Sequence, residues 1–211
     1  MLEYLVNSLR VSGVFERQRT DDETRAMGIL LYHLGLSLRD TSLVLERRRS
    51  HEAVREWYQR ASKLFDVVRR RRRAVAVDET KIRVQGRWRY LWAAIDVDNW
   101  EVLAVWVTEG RSSLETRIFL RLVLRRCEGV PTVYVDSAPW YPWALNSLGI
   151  PWEHRTFGER NPVEQWFGIL KHRIKRFYRR WPHNAGLSSA ELWVQCFVSC
   201  YHIKRLSEGL S

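Results

Sequence analysis

Long apolar runs are missing from this chain: nowhere do the roughly 18 consecutive apolar residues of a membrane-spanning helix occur. The N-terminal MLEYLVNSLRVSG also lacks the basic-then-apolar layout of a secretory signal. Both absences point to a cytoplasmic protein with no membrane partner. Cysteine is scarce as well. Cys127, Cys196 and Cys200 leave one thiol over from any pairing, so no disulfide framework is expected. Cys196 and Cys200 lie four apart with His202 nearby, a spacing open to a metal reading, but the surrounding ELWVQCFVSCYHI reads as an apolar helix with buried thiols. Acidic charge is the third shortage. Against 35 Lys+Arg stand 24 Asp+Glu, a formal net charge of +11, which favours a polyanion as partner, nucleic acid first, and a place at the nucleoid.

What is present is enough apolar residue for a real core, 45% of 211 residues, arranged as one large domain or as a core domain with an appendage. From Thr24 to about Phe65 the periodicity is helical, in ETRAMGILLYHLG, LSLRDTSLVLE and HEAVREWYQRASKLF. Ser37 and Ser50 stand immediately before two of these segments, where a hydroxyl can accept a backbone hydrogen bond from the first turn. Short helices with tight connections suggest a helix-turn-helix whose later helix, about His51 to Ala61, reads the major groove. The alternative is a helical packing arm. Arg48, Arg55 and Arg60, with Arg47 and Arg49, cluster on or beside the reader and favour DNA binding. The run Arg69 to Arg73 follows. Five consecutive guanidinium groups are expected to be solvated or to lie against phosphates, Arg71 among them. The run marks a boundary: residues 1–68 form a helical DNA-binding region, 69–73 a basic linker, and 74–211 a second domain with a closing C-terminal helix.

Beyond the linker the pattern becomes strand-like. AVAVDETKIRV, WRYLWAAIDV and EVLAVWVTEG, punctuated by Gln85-Gly86 and Asp98-Asn99, read as an antiparallel meander in which Trp88, Trp92, Trp100 and Trp106 are core residues. SLETRIFLRLVLRRC follows as an amphipathic helix with Leu114, Ile118, Leu122 and Val123 on its apolar side. PTVYVDS is a short buried strand reached through that helix. WYPWALNSLG is a helix, IPWEH a strand, and two more helices close the chain. The predicted order is β-β-β-α-β-α-β-α-α.

Two aspartates follow strand-like runs, Asp78 after AVAV and Asp136 after VYV, and residues at such positions reach the sheet edge where α/β folds bind ligands. Either alone is equally well a turn former. If the two strands are neighbours, the carboxylates converge, and like charges so close require a proton or a divalent cation between them. Mg²⁺ suits such oxygen ligands, and a third acid completes a site for phosphoryl transfer. Glu164 in NPVEQWFGILKHRIKRFY is the candidate. As a stabiliser of a helix N-terminus it is worth only about 0.3–1 kcal/mol. Val163, Trp166, Leu170, Ile174 and Phe177 make the buried stripe of that helix; Glu164, Gly168, Lys171 and Lys175 line another face, which sets Lys171 two turns from Glu164 and within reach of substrate phosphate. Arg173 and Lys175 add to this cationic grip. Glu159 is the competitor for the third-acid role, Asp96 reads as a turn former within reach of the metal edge, and Glu79 points to the opposite face from Asp78. Trp140, Tyr141 and Trp143 are open to base stacking or, by default, to packing.

Taken together, Asp78, Asp136, Glu164 and Lys171 resemble the signature of DDE-type insertion-sequence transposases of prokaryotes, which carry an RNase H-like catalytic core. The segment VDETKIRVQGRWRYLWAAIDVD is especially similar, and the likeness continues through VYVDSAPWY, EHRTFGERNPVEQWFGILKHRIKRF and the N-terminal GLSLRDTSLVL. The resemblance implies an α/β fold, an RNase H-like mixed sheet in the order β-β-β-α-β-α-β-α, behind the helix-turn-helix region. It implies Asp78, Asp136 and Glu164 as catalytic residues and ligands of Mg²⁺, with Mn²⁺ able to substitute. Cleavage of transposon ends and strand transfer by the freed 3′-hydroxyl follow. The partners are then double-stranded DNA, as element ends and target, and further copies of the chain in a homodimer or larger assembly. The second function class is a transposase-derived DNA-binding protein without turnover.

Overall fold

The computed structural model describes residues 1–16, 19–46, 49–155, 158, 160–175 and 186–209. Two compact units divide them, one comprising Val67–Glu191 and the other Met1–Asp66 with Leu192–Ser211. Among the described residues, no helix is long and apolar enough to cross a membrane.

The helical unit contains α1 (Leu2–Ser12), α2 (Asp22–Leu34), α3 (Leu38–Val44), α4 (His51–Arg60) and a 3-10 turn at Ala61–Leu64. The two serine caps hold α3 and α4 at the expected starts: Ser37 Oγ accepts from Asp40 N–H at 3.0 Å and Ser50 Oγ from Ala53 N–H at 3.2 Å. Leu5, Leu9, Ile29, Val54 and Tyr58 fill the core. Gly28 lets α2 approach α4 closely, since a Cβ there would meet the Trp57 ring at 3.0 Å.

The last helix, α8 (Leu187–Ser207), departs from expectation. It was expected to close the 74–211 domain, yet from Leu192 onward it belongs to the helical unit. Its aromatic residues explain this. Trp193 Nε1 donates to Tyr32 Oη at 3.2 Å, and the Trp193 ring lies 5.4 Å from Tyr58; Phe197 stands 5.1 Å from His33. These large rings complete a core that α1 to α4 leave unfilled. Cys196 and Cys200 are buried in it as free thiols. His202 packs against Phe65, with 6.1 Å between ring centres.

In the second unit, β2 (Ala74–Val84) and β3 (Arg87–Asp96) form an antiparallel hairpin, and β4 (Val102–Thr108) pairs antiparallel with β3. Gln85 and Gly86 adopt φ of 51° and 76°, the left-handed pair that a two-residue hairpin turn requires. Helix α5 (Ser113–Leu124) leads to β6 (Thr132–Val135), α6 (Tyr141–Ser147) to β7 (Trp152–His154), and α7 (Asn161–Ile174) follows. The sheet order is β4-β3-β2-β6-β7, with β6 parallel to β2 and β7 parallel to β6. This is the RNase H-like mixed sheet, in the predicted order of elements.

Three local expectations fail. The arginine run is not a solvated linker. Arg70–Arg71 form a short strand, β1, parallel to β5 (Cys127–Glu128). Arg72 is buried, with 0% of its side chain exposed, and is held by Asp96 at 2.7 Å, Glu101 at 2.9 Å and the carbonyls of Val68 and Arg126. Each of its three nitrogens thus finds a partner, in four hydrogen bonds to two carboxylates and two carbonyls, which is what lets a charge be buried. Arg73 pairs with Asp98 at 2.6 Å, while Arg71 stays exposed. On α5 the buried face is Thr116, Phe119, Leu120 and Val123, leaving Leu114 and Ile118 59% and 41% exposed. Two apolar stripes compete on this helix, and the aromatic one wins because Phe119 meets Trp92 in the sheet core. Of the four tryptophans expected on strands, Trp92 alone is fully buried, Trp88 is exposed near the hairpin turn, and Trp100 lies in the turn between β3 and β4.

Candidate active site

The parallel register of β2 with β6 positions the two aspartates. Ala74, Val75 and Ala76 lie opposite Thr132, Val133 and Tyr134, and continuing that register by two positions brings Asp78 beside Asp136. Asp78 does not end its strand, as the sequence suggests, because β2 stays paired with β3 as far as Val84. What ends beside it is β6, at Val135, so the sheet opens on the β6 side of Asp78. Asp136 turns the chain, its Oδ1 accepting from Ala138 N–H at 2.9 Å, and Asp78 Oδ1 accepts from Glu79 N–H at 2.9 Å.

Glu164 arrives from α7. Val163, Trp166, Phe167 and Leu170 bury one face of this helix, which packs against β2 and β3. Glu164, Gly168, Lys171 and Lys175 line its exposed face, as the helical spacing predicts. Arg173 does not join them. It falls with Trp166 and Leu170 on the buried face and is itself buried, so its place in the cationic grip is corrected. Lys171 Nζ stands 5.8 Å from the centre of the Phe167 ring. Phe177, Glu159 and Arg48 lie outside the described residues.

The three acids converge on a residue that sequence reasoning missed. Arg160, at the N-cap of α7, places Nη2 at 2.7 Å from Asp78 Oδ2 and 3.9 Å from Asp136 Oδ2, while Nη1 lies 3.2 Å from Glu164 Oε1. The Arg160 side chain is 9% exposed and that of Glu164 45%. The nearest sequence signal is an arginine four positions before Glu164, a spacing that pairs opposite charges on a helix.

Burial pushes the Asp78 carboxyl up from 3.8 to about 6, against the downward pull of Arg160, with the charges of Glu79 and Asp136 adding to the rise. A carboxyl so placed gains much from a cation. The donor set is three hard carboxylates within reach of one positive group, which fits Mg²⁺ or Mn²⁺. Among the described residues, no three acids are drawn together as a ready metal cluster.

Behind the site, Glu79 points away from Asp78 as expected. Tyr141 Oη donates to Glu79 Oε2 at 2.6 Å, and Arg111 Nη1 pairs with Glu79 Oε1 at 2.9 Å. Burial and the charge of Glu79 push the Tyr141 phenol well above 10. Arg111 also lies 4.2 Å over Trp140. Tyr141 is therefore a packing residue, and Trp143 the exposed aromatic of its helix. Asp96, the lesser candidate for the metal edge, is committed to Arg72.

In the helical unit, Arg55 bonds Glu52 at 2.7 Å and Gln59 at 3.1 Å; Arg60 reaches Glu56 and the Val14 carbonyl, both at 3.3 Å. A groove of about 480 Å³ is lined by Arg39, Asp40, Ser42, Leu43, Arg49, Ser50 and His51.

The sequence profile of the DDE_Tnp_IS240 family, a DDE domain, matches residues 72–193. An uncharacterized protein of Methanocaldococcus jannaschii is 38% identical over 95% of this chain and 95% of its own length. The transposase for insertion sequence-like element IS431mec of Staphylococcus aureus is 27% identical; the alignment takes in 59% of this chain but only 58% of that transposase. Among solved structures, the catalytic core domain of BIV integrase aligns with 17% identity over 64% of this chain and 95% of that domain, at a TM-score of 0.46.

Proposed function

Because the chain belongs to the DDE_Tnp_IS240 family of insertion-sequence transposases, we propose that it cuts the ends of a mobile DNA element and joins them to target DNA by metal-dependent phosphoryl transfer. The observation that carries this reading is the convergence of Asp78, Asp136 and Glu164 around one cationic group. Held by these three residues, Mg²⁺ or Mn²⁺ supplies positive charge that offsets the negative charge gathering on the reacting phosphate.

The chain's own residues do the rest. Register between β2 and β6 fixes the spacing of the aspartates, and the buried face of α7 fixes Glu164 against the sheet. Lys171 and Lys175, exposed on the face of Glu164, bind backbone phosphates on either side of the scissile bond. Sequence recognition belongs to the helix-turn-helix. There α4 enters the major groove of the element end, with Arg48, Arg55 and Arg60 near the bases and Arg71 on a flanking phosphate. The basic lining of the α3–α4 groove, with Arg39, Arg49 and His51, supports this placement. Pairing two ends requires at least two copies of the chain, so the working form is a homodimer or larger, acting at the nucleoid.

The test uses the full chain with duplexes carrying the DNA sequences that flank its gene. With Mg²⁺ present, nicked and joined products are expected, and chelation removes them while leaving binding intact. Binding that weakens steeply with salt, as counterion release dictates, but with no metal-dependent product, would overturn the enzymatic reading and leave a DNA-binding protein.

A further inference from the structure

Arg160 has an unusual set of neighbours for a structural arginine. Its two terminal nitrogens span three carboxylates, at 2.7, 3.9 and 3.2 Å, and those carboxylates have few other partners among the described residues. Its third nitrogen, Nε, is buried and finds no hydrogen-bond partner among the described residues. An unmet buried N–H is costly, and Arg117 Nε shares that state among the described residues, so what sets Arg160 apart is the three carboxylates around its terminal nitrogens. Position adds to the argument. The residue lies just before α7, in a turn in which Asn161 N–H donates to the Gly158 carbonyl at 2.8 Å, so its backbone is outside the regular helix that carries Glu164.

We infer that Arg160 is a resident counter-ion of the acidic triad: it neutralises and spaces Asp78, Asp136 and Glu164 until divalent cations bind, and it must withdraw for them to do so. The inference rests on the proposed metal-binding role of the three acids. Like charges cannot share these carboxylates without strong repulsion, so occupation by guanidinium and occupation by divalent ions are alternatives. Arg160 thereby sets the affinity of the site. It keeps the acids from repelling one another when ion concentration is low, and it raises the ion concentration at which the site fills. Arg160 acts through the acids and is a positioning residue.

The experiment titrates Mn²⁺ alone into the full chain, without DNA, by calorimetry, and follows thermal unfolding with and without Mn²⁺. Arg160→Met removes the charge and keeps much of the side-chain bulk. It is expected to bind Mn²⁺ about tenfold more tightly than the wild type, the change that loss of one competing ion pair produces. Its unfolding temperature in chelator falls, and Mn²⁺ restores it by more than it shifts the wild type. Arg160→Lys keeps the charge but offers a single ammonium, which does not span three carboxylates, and falls between the two; it carries the comparison if the methionine variant does not fold. A wild type that binds Mn²⁺ alongside variants that bind it equally or more weakly overturns the counter-ion role and leaves the metal site standing. Absence of Mn²⁺ binding in wild type and variants alike overturns both readings.

Discussion

Two buried arginines in the α/β unit, Arg72 and Arg160, do opposite things with the same chemistry. Arg72 sits where β1 and the β3–β4 turn meet, sealed from solvent, with Asp96, Glu101 and two carbonyls taking its donors. Arg160 sits among Asp78, Asp136 and Glu164, one donor unmet among the described residues and its last partner nearly half exposed. A buried ion pair in which every nitrogen has a partner has no reason to open, and it holds the fold. An ion pair that leaves a donor unmet and faces solvent on one side holds its charges for exchange. On the proposed reading, that difference separates structural acids from functional ones where residue type does not.

That contrast breaks most severely at Arg72. Removing one partner of a buried pair strands the other charge, so Arg72→Met is expected to cost about 3–5 kcal/mol in denaturant unfolding. No divalent ion restores it. A loss there no larger than at Arg160 would erase the distinction.

Next is the pH dependence of Asp78. Its carboxyl in the folded chain lies near 6, above the ordinary 3.8 of an unfolded chain. Between these values the folded state binds more protons, so stability is greatest below 3.8 and declines as pH rises through 6. Asp78→Asn in chelator should remove that decline and gain up to about 3 kcal/mol at neutral pH. A variant that keeps the wild-type slope over this window contradicts the assignment.

A smaller effect tests the layer behind the site. Tyr141→Phe deletes one buried hydrogen bond to Glu79, which retains Arg111, so a loss of about 1 kcal/mol in unfolding free energy is expected. The smallest tests the two stripes of α5. Leu114→Ser should lie within about 0.5 kcal/mol of the wild type, whereas Phe119→Ala should cost about 3–5 kcal/mol. Equal effects would mean that the exposed stripe is covered in solution.

How much of this was legible in the sequence follows from how local each cause is. The Gln85-Gly86 hairpin and the Ser37 and Ser50 caps depend on backbone conformation and neighbouring residues, and each falls where sequence reading puts it. The faces from which Asp78 and Glu164 project were legible, because strand alternation and helical spacing set them. The fate of each arginine was not, since it depends on partners distant in sequence: Asp96 and Glu101 for Arg72, Asp78 and Asp136 for Arg160. A run of five arginines reads as solvent-facing because nothing local announces those acids. Arg173 was misread for a related reason, as position on the helix outweighed its charge. The C-terminal helix shows the same limit at the scale of an element: its apolar residues announce burial, and only Tyr32, His33 and Tyr58 decide where.

The central claim is that Asp78, Asp136 and Glu164 act together as ligands of the ions that support DNA cleavage. The direct measurement follows Mn²⁺ binding and cleavage of the element's terminal DNA in parallel, for the wild type and for Asp78→Asn, Asp136→Asn and Glu164→Gln. Each variant is expected to lose Mn²⁺ affinity and to cut the DNA slower by about 10³-fold, the scale of losing one group that stabilises transition-state charge, while DNA affinity holds. A Glu164→Gln chain that binds Mn²⁺ and cleaves as the wild type does would contradict the account.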